Sequence, residues 1–148
     1  MLLLFSTKVL AQDFSIDPPK SGQMIIKDPI DSTRLEEVRS FQLNLRDVKK
    51  IFKKVGKREW EEIDASKVGF NLIIELSGDS TIHEFSISTL SGIVEMTQNY
   101  TEEKGLISVN ESLGTFILRL LEKYKALDLI ERSQLIGLIS EEELRQVY

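Results

Sequence analysis

Cysteine is missing from all 148 residues, and histidine occurs once, as His83. Without thiols there is no disulfide scaffold, no thiol nucleophile and no c-type haem attachment, and one imidazole cannot assemble a Cys/His zinc site. Proline is scarce as well: Pro18, Pro19 and Pro29 are the only three, all near the start, so the rest of the chain meets no proline break. No run approaches the ~20 apolar residues that a membrane span needs. Gly-x-Gly-x-x-Gly, Gly-x-x-x-x-Gly-Lys-Ser/Thr and the Gly-x-Ser-x-Gly elbow are all missing. These absences leave no cofactor and no metal to expect, and they exclude most common catalytic sets.

What is present is enough apolar material for a core, 41% hydrophobic residues, balanced by 29% charged ones. The length fits one domain. Residues 1 to 11 form an apolar run closing on Val9-Leu10-Ala11, the small-residue pattern that a signal peptidase reads, with cleavage expected before Gln12. The run is short, lacks a basic segment before Leu2 and carries Lys8 near the cleavage point, so it reads as a truncated signal peptide. A periplasmic or secreted protein is the expectation.

The net charge of −5 hides a strong division. Residues 46 to 58 hold Arg46, Lys49, Lys50, Lys53, Lys54, Lys57 and Arg58 against Asp47 alone, whereas residues 59 to 148 are strongly acidic. One short basic element therefore sits in an acidic protein.

Along the chain, residues 12 to 34 collect the prolines, Gly22 and turn-favouring Asp and Ser, and read as an extended leader with at most a short edge strand at Met24-Ile25-Ile26. Leu35, Phe41 and Leu43 share one parity and suggest a strand. From Asn44, a good N-cap, the period becomes helical through Leu45, Val48, Ile51, Phe52 and Val55. Phe70, Leu72, Ile74 and Leu76 alternate as a strand. Ser77-Gly78-Asp79-Ser80 turns it into a return strand with Phe85 and Ile87 inward. Two more strands follow, at 93 to 97 and 106 to 109. Leu113, Phe116, Ile117, Leu120, Leu121, Tyr124 and Leu127 then lay one apolar stripe along a helix from Asn110. Residues 128 to 139 read as another helix, and Ser140-Glu141-Glu142-Glu143 is a capping box for a last short one.

The expected fold class is therefore α+β: an antiparallel meander of three to four strands packed against two amphipathic helices in two layers. Residues 35 to 126 form the core domain, and 127 to 148 a small helical extension of it.

Three features could carry chemistry. His83 is the only side chain with an ordinary pKa near neutrality, but it has no cysteine or serine elbow to work with, and a strand histidine at a sheet margin is the plainer reading. Glu59, Glu61, Glu62 and Asp64 form an acidic cluster that could serve a small hydrolase, although acidic runs are usually solvated surface. The sharpest feature is the basic helix, whose Lys49, Lys50, Lys53, Lys54, Lys57 and Arg58, followed by Trp60, form a candidate binding surface for a protein with an acidic surface. Nucleic acid is disfavoured by the acidic whole and by the lack of interleaved aromatics.

The expected function is a small exported binding protein without catalysis, such as an inhibitor or immunity-type partner. A hydrolase using His83 or the 59 to 64 cluster, and an accessory part of a cell-envelope assembly, are the alternatives.

Overall fold

The computed structural model describes residues 18–31, 34–55, 69–99 and 102–147. The elements run β1 (Ser21–Asp31), β2 (Arg34–Gln42), α1 (Leu45–Val55), β3 (Leu72–Ser77), β4 (Ile82–Ser88), β5 (Ile93–Gln98), β6 (Glu102–Ser108), α2 (Glu111–Lys123), two single 3-10 turns (Leu127–Leu129 and Arg132–Gln134) and α3 (Glu141–Val147). The class is α+β, as the alternating and helical periods imply. The strands form one six-stranded sheet in the order β2-β1-β3-β4-β5-β6, and every neighbouring pair is antiparallel.

The four-strand meander is thus only part of the sheet. The reading of 12 to 34 as a leader is overturned over residues 21–31, which form a strand between β2 and β3. Gly22, Met24 and Ile26 alternate inward against Gln23, Ile25 and Lys27. Pro29 is tolerated because β1 pairs with β3 only from Ser21 to Ile26. Beyond that point it pairs with β2 alone, through an irregular register.

A single row crosses the sheet, with Phe41, Met24, Ile74, Phe85 and Met96 cross-strand partners in turn and Gly105 at its end. Beside it run Ile26, Leu72, Ile87, Val94 and Ile107. Both rows, except Phe41 at the edge and Gly105, are essentially buried, and with α1, α2 and residues 126–144 they make one core cluster. Gly22 is required where α1 crosses β1, since a Cβ there would meet the Leu76 side chain at 2.8 Å and Val48 at 3.0 Å.

The helix read at 128 to 139 does not form. Its apolar residues fall on every side instead of one stripe, and the segment folds as 3-10 turns followed by a turn stretch, from which Leu135, Leu138 and Ile139 are buried in the core. It is fixed by a buried polar knot. Asn71 Nδ2 donates to Thr89 Oγ1 at 2.8 Å, Thr89 Oγ1 donates to the Gln134 carbonyl, and the Gly137 N–H donates to the Thr89 carbonyl at 2.8 Å. Around the knot the backbone approaches closely at three glycines: Gly92 (φ 67°), Gly114 on α2 and Gly137.

On the other sheet face Glu75 stands directly opposite Glu84. Burial, and then the charge of Glu75, push the Glu84 carboxyl above its ordinary value. A carboxyl raised in the fold makes its ionised form the unfavourable one, so the cost appears as pH rises through and above the folded value. Glu84→Gln is therefore expected to gain about 0.5 kcal/mol at pH 7.5 and nothing below pH ~4, a difference read by urea melts at the two pH values.

Candidate functional site

α1 owes its start to Asn44, whose side-chain oxygen accepts the Asp47 N–H at 2.9 Å while its carbonyl accepts the Val48 N–H at 3.0 Å. Val48, Ile51, Phe52 and Val55 are buried on one side. The spacing leaves Lys49, Lys50, Lys53 and Lys54 exposed on the rest of the circumference. Lys57, Arg58 and Trp60, and the acidic cluster from Glu59 to Asp64, lie outside the described residues, as does the 1 to 11 run.

Among the described residues, Lys49, Lys50 and Lys53 form no ion pair. Lys50 acts on Asp47 through its charge, without an ion-pair contact. Lys54 reaches over the Phe116 ring of α2, with its ammonium 5.4 Å from the ring centroid.

The one acidic residue of the helix has a different task. Asp47 is only 4% exposed and receives the Tyr124 hydroxyl at 2.6 Å and the Lys123 ammonium at 2.9 Å. Tyr124 in turn accepts the Asn44 N–H at 2.9 Å, so the start of α1 is latched to the end of α2. Burial works against ionising Asp47, but the hydrogen bonds from Lys123 and Tyr124 and the charges of Lys123 and Lys50 outweigh it and hold the carboxyl below its ordinary range. Burial, and then the bond to Asp47, push the Tyr124 hydroxyl upward.

This latch sets α1 beside the first turns of α2, and a groove of about 740 Å³ opens between them. Lys50 and Lys54 line one wall, Ser112, Thr115, Phe116 and Arg119 the other, and Asn110 and Glu111 close one end. Arg119, like Lys50, is exposed and forms no ion pair among the described residues. The sequence showed the lysine wall but not its opposite. Arg119 and Thr115 lie one turn apart on α2, a signal that counts only once α1 is known to face them, and Phe116 belongs to the groove as much as to the apolar stripe.

His83 lies elsewhere. It is 3% exposed, on β4 across from Leu76 and Gln98, and its ring stands 5.5 Å from that of Phe52 under α1. No group of three or more metal-ligating side chains occurs among the described residues, and no helix among them is long and apolar enough to cross a membrane. No protein-family model, no curated protein and no solved structure matches the chain.

Proposed function

We propose that the protein is a small, exported, non-catalytic binding protein that offers the basic surface of α1 to an acidic partner protein, in the manner of an inhibitor or immunity-type factor. The observation that carries this reading is the set of exposed ammonium groups on α1, among which Lys49, Lys50 and Lys53 form no ion pair with the described residues of an otherwise acidic chain. Concentrated positive charge of this kind raises encounter rates and fixes orientation with a surface of opposite sign. The burial of His83 supports the same reading, because the one imidazole serves packing. Export rests on the apolar run at residues 1 to 11.

The test is capture of partners by the chain starting at Gln12, compared with a variant carrying Lys49→Glu, Lys50→Glu, Lys53→Glu and Lys54→Glu. Specific partners should be lost from the variant and from the wild type in 0.5 M salt, where the Debye length falls to about 4 Å. Equal recovery by both proteins would overturn the reading, provided their thermal melts agree.

A further inference from the structure

We infer that the outer face of the first two turns of α1 docks an acidic amphipathic helix of the partner, with Leu45 as the apolar anchor. The inference rests on the binding reading above and names the residue and the partner element that make the contact specific.

Among the described residues three large apolar side chains stand exposed, Leu45, Leu90 and Ile136. Of these Leu45 alone lies on α1, as its first residue, and it is 48% exposed. The turn that carries it is held on both sides. Asn44 donates its N–H to the Tyr124 hydroxyl and accepts the Asp47 N–H, and Asp47 receives Tyr124 and Lys123. The exposure of Leu45 therefore belongs to a pinned turn, and an anchor fixed in advance loses little freedom on binding.

The surroundings of Leu45 set the chemistry of what covers it. Arg46 follows it, Lys49 lies one turn on from it, and Lys50 one turn on from Arg46. All three cations are exposed and form no ion pair among the described residues. An apolar residue bordered by cations is complemented by an apolar stripe bordered by carboxylates. The alkyl stems of Arg46 and Lys49 widen the apolar contact while their charged ends reach the carboxylates.

Spacing selects the form of the occupant. Leu45 and Lys49, and likewise Arg46 and Lys50, are four residues apart and recur at about 6 Å along a rod. A second helix repeats its side chains with the same period, so the ridges of one meet the grooves of the other over successive turns. An extended chain laid on a helix finds no sheet edge, and its peptide groups gain no backbone partner.

The probe is a dye-labelled helical peptide of about fifteen residues, with leucines three and four residues apart on one face and glutamates beside them. Its control has the same composition with the leucines spread around the helix. Fluorescence anisotropy at low ionic strength should show the patterned peptide binding about tenfold more tightly than the control. Leu45→Ala should weaken that binding about tenfold and Arg46→Ala about threefold. Leu90→Ala, Ile136→Ala and Arg145→Ala alter exposed residues outside α1 and should each change it by less than about twofold. Thermal melts establish that every variant is folded. Equal binding of the two peptides, or a Leu45→Ala chain that binds as wild type does, overturns the helix docking, while loss of partner capture on lysine reversal still upholds the wider reading. Partner capture that survives lysine reversal sinks the wider reading and this inference with it.

Discussion

Gly114→Ala is expected to lower stability by about 3 kcal/mol, which for a chain of this size is a fall of roughly 10 °C in Tm. By helix propensity alone the sign should be opposite, since alanine inside a helix is better than glycine by about 1 kcal/mol. Geometry decides the matter. A Cβ on Gly114 would lie 1.7 Å from the Leu138 carbonyl oxygen and 2.6 Å from its carbon, and neither is the movable end of a side chain. The backbone of residues 135 to 139 must shift, and with it the buried Leu135, Leu138 and Ile139. Gly69→Ala is the control, because no described residue lies within 4 Å of its added carbon, and it should stay within about 0.5 kcal/mol of wild type. Thermal and urea melts of the two variants check this. A Gly114→Ala protein as stable as the control would show that the C-terminal segment does not press on α2 as described.

Asp47→Ala is the second large effect, a loss of about 2 kcal/mol at neutral pH. The ion pair contributes little of this, because the Lys123 side chain is half exposed and water replaces its partner. Most of the loss comes from the Tyr124 hydroxyl, which is left without its acceptor at the junction of α1 and α2. Asp47→Asn keeps an oxygen for that hydroxyl and should lose less. The pH dependence separates charge from shape. With its carboxyl held below the ordinary value of 3.8, ionised Asp47 stabilises the fold at all pH values above that figure, and the contribution is lost as pH falls through the lower folded value. The difference between wild type and Asp47→Asn should therefore be constant from pH 5 to 8 and shrink below about pH 4, as urea melts across that range would show. A difference that stayed flat into acid would mean that the charge plays no part.

How far the sequence discloses this molecule depends on whether the deciding contacts are local. β3 and β4 are legible because Leu72, Ile74, Leu76, Phe85 and Ile87 alternate within a few residues of a turn. α1 is legible because its N-cap, stripe and lysines all lie within about three turns. β1 is not, since Gly22 and Pro29 carry loop signals, and their tolerance comes from the crossing of α1 and from one-sided pairing, facts that belong to the assembled sheet. Asp47 shows the same limit. Its place in the first turn is readable as a favourable charge, but its partners Lys123 and Tyr124 are 76 and 77 residues away. Half of the groove was hidden for this reason: Lys50 and Lys54 announce themselves as a charge run, whereas Arg119 and Thr115 look like the ordinary wet side of another helix.

The position of β1 has a mechanical meaning. Among the described strands β2 pairs with β1 alone, so the two together lie on one border of β3. A pull on residues 18 to 20 is borne first by the Lys20 N–H bond to the Ser77 carbonyl and the Lys20–Asp79 ion pair, and then by the Ser21–Ile26 ladder with β3. When that ladder parts, the peptide groups of β3 that face β1 lose their partners.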